Sequence, residues 1–147
     1  MTAPQAWAVV AFAIAIWSMA QLWFAQLVIY PLFAQVGAGD YIAYHRFYAR
    51  RIPVPVIFPG FASFLMPLPL AWFGPSVPVW LNAANIASGF VGLVVTVALE
   101  IPRHAKLETH GRDDRVIAEL IRFNWPRTLA MTGGSGCCMA ILLAAWR

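Results

Sequence analysis

Residues 79–104 read VWLNAANIASGFVGLVVTVALEIPRH. From Val79 to Leu99 no side chain carries a charge, and a helix needs ~20 such residues to cross the hydrocarbon of a bilayer. The run then closes on a carboxylate, Glu100, followed by Pro102 and His104, and the next residues continue AKLETHGRDD. The apolar part predicts a membrane span over Val79–Ile101. Its ending admits two readings, a solvated helix terminus or a polar site.

Three further runs match the first in character: Trp7–Phe33, Val54–Phe73 and Trp125–Trp146. Hydrophobic residues make up 61% of the 147 residues and charged ones 11%, against the ~25% charged residues of a soluble domain. Mean hydropathy is +0.70. The N-terminal run, Trp7–Phe33, is too long for a signal-peptide core and no Lys or Arg precedes it, so it reads as a span. The expectation is an all-α, integral-membrane four-helix bundle, up-down, formed by residues 1–147 as one domain.

Charge sets the orientation. Arg46, Arg50 and Arg51 lie in the first connection; Arg103, Lys106, Arg112, Arg115, Arg122 and Arg127 lie in or beside the third. The second connection, FGPSVP, has no charge. The positive-inside rule then places both charged connections in the cytoplasm and both termini on the outer side. A basic fringe facing anionic lipid headgroups accounts for the net charge of +4 without nucleic acid as a partner. Trp7, Trp72, Trp80, Trp125 and Trp146 fall near the span ends, where aromatic belts form.

Inside the spans, Pro55, Pro59, Pro67 and Pro69 predict an irregular second helix, because each removes a backbone donor. Ser88 with Gly92, and Thr132 with Gly136, are small-xxx-small pairs suited to close packing within the bundle or against a second copy. Gln21 and Gln26 suit interhelical hydrogen bonds. Cys137 and Cys138 are adjacent, point ~100° apart on a helix and form no C-x-x-C, which argues against thiol redox chemistry. The first span has no acid for proton-coupled export, and the intrahelical Arg and Glu pattern of glutathione-using membrane enzymes is missing.

The charged connections carry structure of their own. Asp40 can cap a helix on which Tyr41, Tyr44, His45 and Tyr48 share a face. Asp113 or Asp114 can begin a second one, with Val116, Ile117, Leu120 and Ile121 as its apolar stripe. Both predict short interfacial helices on the cytoplasmic side, with Asn124 capping the fourth span and Pro126 in its first turn. If the third helix runs on through Pro102, Glu100 and His104 share a face. Tyr30, Glu100, His104 and His45 are then candidate catalytic groups, and Asn124 and Arg127 candidate cofactor-binding ones. His45, Glu100 and His104 form a feasible set for a mononuclear iron, manganese or zinc ion, or for a general base with a proton relay. The plainer alternative pairs Glu100 with Arg103 or Arg127.

The segments QLVIYPLFAQVG, YHRFYARRI, IPRHAKLETHG and NWPRT resemble a bacterial family of small four-span membrane proteins, loosely related to anthrone oxygenases. His104, Asn124 and Arg127 match that pattern. Ile29 and Tyr48 stand where it has histidines, and the second span lacks its glutamate. The resemblance implies a bacterial inner-membrane location and an oxidoreductase or oxygenase-like activity on a lipophilic, aromatic or quinone-like substrate. The lost histidines leave open a non-catalytic accessory subunit of a larger respiratory or photosynthetic membrane complex, or a homo-oligomer, with the lipid bilayer as common partner.

Overall fold

Three prolines, each just beyond a widened turn, shape the helices. The computed structural model describes residues 1–147, and every regular element is helical: α1 (Ala3–Phe33), α2 (Tyr41–Arg51), α3 (Pro53–Leu65), α4 (Pro67–Phe73), α5 (Val79–His110) and α6 (Asp114–Ala144). In α1, α3 and α5 a π turn, Ala25–Ile29, Pro53–Ile57 and Thr96–Glu100, ends just before Pro31, Pro59 and Pro102. A proline lacks its N–H and its ring crowds the carbonyl four residues back. A wider turn moves that carbonyl aside and lets the helix continue. One such carbonyl, that of Pro55, accepts a 2.8 Å bond from the Trp17 indole.

α1, α5 and α6 are long and apolar enough to cross a membrane, and α3 with α4, bent by 45° at Met66, are a fourth candidate if the pair is one span. The irregularity expected of the second span is therefore present. Large apolar side chains point outward, with Leu27 60%, Phe90 65% and Leu129 57% exposed. Such an exterior suits lipid better than water.

Two boundaries differ from the sequence expectation. α5 does not stop at Ile101 but passes through Pro102 to His110. α6 begins at Asp114, so the second interfacial helix is not separate, and Asn124 lies inside a helix instead of capping one. The cap is Asp113, whose carboxylate accepts from the N–H groups of Arg115 and Val116. The reason is phase: Ile117, Leu120, Asn124, Thr128, Met131, Ser135, Cys138 and Ile141 are all buried, a single stripe at helical period that Pro126 does not interrupt. α2 is a separate helix as expected, although Asp40 makes no side-chain cap bond.

α6 packs most extensively on α5 and α1, and α3 packs on those same two helices. Gly89 makes the α3–α5 approach possible, because a Cβ there would strike the carbonyl oxygen of Phe64. Gly111 turns the chain from α5 into α6 at φ +85°, a left-handed conformation that glycine adopts freely. One apolar cluster gathers Ala8, Ala11, Leu70, Leu81 and Ile141. Another, at the α2 end, gathers Tyr30, Phe33, Tyr41, Leu107, Ile117 and Leu120. Both cysteines are unpaired, and Cys138 packs beside Asn85.

Candidate functional site

A period-four series on α5, Thr96, Glu100, His104 and Glu108, lines one wall of a cavity of about 370 Å³. Tyr30 from α1, His45 and Tyr48 from α2, Gly60, Phe61 and Phe64 from α3, and Arg127 from α6 complete much of it. The π turn at Thr96–Glu100 sits directly above His104, in keeping with the tendency of such turns to occur at functional sites. At Gly60 a Cβ would meet nothing within 4 Å, because that position opens into the cavity.

Arg127 organises the polar wall. Its Nε donates to Asn124 Oδ1 at 2.9 Å, Nη1 to Thr96 Oγ1 at 3.0 Å and Nη2 to the Tyr30 hydroxyl at 3.1 Å. Thr96 passes its own proton to the Gly92 carbonyl at 2.7 Å. Asn124 donates to Gln26 Oε1 at 2.7 Å and to Thr128 Oγ1 at 3.1 Å, and Gln26 in turn donates to the Ile121 carbonyl at 3.1 Å. The interhelical role expected of Gln26 is thus observed, whereas Gln21 lines the cavity.

Glu100 stands out from this network. It is 2% exposed, and neither carboxylate oxygen has a hydrogen-bond partner. Its cation is Arg127, at 3.9 Å. Arg103, the other candidate, is taken by Glu119 at 3.0 Å and the Leu99 carbonyl at 2.7 Å. The ordinary ion pair is therefore present only in stretched form. Buried carboxylates normally fill their lone pairs; these two oxygens do not.

The histidines divide two and one. His45 Nε2 lies 3.2 Å from His104 Nδ1, and His104 Nε2 lies 3.4 Å from the Tyr30 hydroxyl. Aromatic rings surround the pair: Phe33 edge-on to both, Tyr41 stacked on His45 and Tyr48 on His104. Burial holds His45 below the usual histidine range, with Glu108 pulling the other way. Burial also pushes the Tyr48 phenol up to about 12, with Arg127 opposing. His110 lies outside the site, exposed at the end of α5 against Thr109.

Tyr30, His45, His104, Asn124 and Arg127 thus come together as one network, with Glu100 beside it, 3.9 Å from Arg127. Three of these six, His45, Glu100 and His104, are the metal set named from the sequence. No three His, Cys, Asp or Glu side chains are arranged to hold an ion, and His45 and His104 turn nitrogens toward each other. Sequence reasoning did not single out Thr96, Gly60 or Glu108 for the site; the four-residue spacing from Thr96 to Glu108 was the signal available.

No protein-family model, curated protein or solved structure matches the chain.

Proposed function

We propose that the chain is a four-span, up-down bundle of the bacterial inner membrane, with both termini outside and α2 on the cytoplasmic side. Within it the cavity holds a lipophilic aromatic substrate and runs oxygenase-like chemistry. The bundle reading is supported by the contacts: α6, α1, the α3–α4 pair and α5 adjoin in a closed circuit. The observation that carries the chemistry is Glu100, buried, lining an apolar cavity and committed to no hydrogen bond. A carboxylate so placed is free to take a substrate proton as general base.

The fitting substrate is an aryl ketone with an activated methylene. Glu100 removes a C–H proton, and the electron pair spreads to the carbonyl oxygen as an enolate. The Arg127 guanidinium, which also donates to the Tyr30 hydroxyl at 3.1 Å, is the donor that would hold that oxygen. The pair then forms a C–O bond with dioxygen, and the peroxide anion takes a proton back from Glu100. Loss of the second C–H proton breaks the O–O bond and releases water. Carbon is oxidised to a carbonyl and dioxygen is reduced, so methylene plus O2 yields carbonyl plus water.

The test is oxygen uptake by protein purified in mild detergent, offered tricyclic aryl ketones and naphthoquinols. Wild-type protein should consume one O2 per ketone. Glu100→Gln should bind the ketone, seen by quenching of protein fluorescence, and consume no oxygen above background. Equal uptake by the two proteins, or no binding by either, overturns the reading.

A further inference from the structure

Four buried side-chain polar atoms have no partner: the Tyr41 hydroxyl, His45 Nδ1 and both carboxylate oxygens of Glu100. Three of these four mark the two ends of a single row of groups. From His45 Nδ1 the row crosses the ring to Nε2, then 3.2 Å to His104 Nδ1, across that ring to Nε2, and 3.4 Å to the Tyr30 hydroxyl. That hydroxyl and the Glu100 carboxylate share no hydrogen bond, but both lie against Arg127 Nη2, at 3.1 Å and 3.9 Å. We propose that His45, His104 and Tyr30 are a proton relay joining Glu100 to the aqueous edge of the protein at Glu108. The proposal rests on Glu100 being the base of the site.

The proton count closes. In the resting arrangement His45 carries its proton on Nε2 and donates to His104 Nδ1. His104 donates from Nε2 to the Tyr30 oxygen, and Tyr30 points its own proton at Glu100. A proton arriving at His45 Nδ1 displaces the Nε2 proton to His104 Nδ1. The His104 Nε2 proton passes to Tyr30, and the former Tyr30 proton bonds to Glu100. Each ring has taken a proton at one nitrogen and released one at the other, which only imidazole among side chains can do in this way. The reverse sequence carries a proton from Glu100 back to His45 Nδ1.

Two features favour a relay over simple packing. A purely structural histidine pair would fill its outer nitrogen, and His45, with 0% exposure, leaves it open. The rings of Phe33, Tyr41 and Tyr48 fence the pair, which excludes competing partners along its length. Glu108 is the charged group that acts on His45, and it lies at the cavity wall where α5 nears its end. Burial favours the neutral imidazoles that such transfer needs.

The row also stops at Glu100. Beyond it Arg127 carries a fixed positive charge, and its donors end on Asn124 and on Thr96, which is itself bonded to the Gly92 carbonyl. A fixed cation bars onward proton passage. The relay therefore serves a reaction chamber and does not conduct across the membrane.

The experiment follows the Glu100 carboxyl band by infrared spectroscopy in detergent-purified protein with neither substrate nor oxygen, the band being assigned by its loss in Glu100→Gln. On mixing into D2O, hydrogen–deuterium exchange of that band is timed in wild-type protein, His45→Gln and His45→Gly. His45→Gln keeps a hydrogen-bonding group beside His104 but cannot pass a proton, and its exchange should slow by about 10-fold or more. Added imidazole should restore the rate in His45→Gly and leave wild type unchanged. Wild-type exchange in His45→Gln overturns the relay, as does slow exchange in a folded His45→Gly that imidazole does not restore. Because no substrate is present, failure of the oxygenase assay and failure of this one are separate results.

Discussion

Replacing Arg127 by methionine separates two sources of stability that the structure superimposes. The guanidinium makes hydrogen bonds to three side chains, those of Asn124, Thr96 and Tyr30. Two of these join different helices, where such bonds average ~0.6 kcal/mol each, so losing the set costs about 1–2 kcal/mol. The substitution also strands the Glu100 carboxylate, 2% exposed and 3.9 Å from the cation. At that separation, with an effective dielectric near 20, the lost attraction is roughly 4 kcal/mol, within the range of 3–5 kcal/mol measured when one partner of a buried pair is removed. The charge outweighs the hydrogen bonds. Arg127→Met should therefore lose about 4–6 kcal/mol, and adding Glu100→Gln should restore about half of it. Unfolding of the single and double variants by SDS in mixed micelles, followed by far-UV circular dichroism, measures both quantities. A double variant no more stable than Arg127→Met refutes the reasoning, since it would mean that Glu100 feels no uncompensated charge.

Three further substitutions or conditions probe other parts of the argument. Gly60→Leu should leave stability within about 0.5 kcal/mol of wild type, since its Cβ meets open space, yet abolish quenching by tricyclic ketones because the side chain fills the cavity. Gly89→Ala should cost about 1–3 kcal/mol, because the backbone carbonyl of Phe64 cannot move aside as a side chain could; the same micellar titration reads it. Burial lowers the His45 pKa, so the unfolded chain takes up a proton that the folded one refuses. Stability should be full above about pH 6.5 and fall as the pH drops below it, and His45→Gln should flatten that fall in titrations run from pH 8 to 5.

Much of this was legible in the chain because hydrophobic runs and the i, i+4 rule are local. The three long helices follow from uninterrupted apolar length, and Glu100 and His104 share a wall because α5 continues through Pro102. Where the reading failed, a distant partner decided the matter. Pro126 and Asn124 look like a helix start, but the buried face from Ile117 to Ile141 carries one continuous helix past them. Arg103 and Arg127 are equal candidates for Glu100 on paper. Glu119, sixteen residues further along, claims Arg103. The meeting of His45 with His104 depends on how α2 lies across the ends of α1 and α5, which no spacing within either segment encodes.

The widened turns in α1 and α5 have a further consequence. A π turn amounts to one residue inserted into an α-helix, which rotates everything beyond it by ~100°. Tyr30 and Glu100 both lie at the far edge of such an insertion, so the cavity-lining end of each helix is phased independently of the half before it. Deleting Val97 would restore the regular helix and swing Glu100 and His104 to a different azimuth, while the Gly89 and Gly92 contacts stayed where they are. The two halves can accordingly drift in sequence under separate demands, one set by the neighbouring helices, the other by the lining of the cavity.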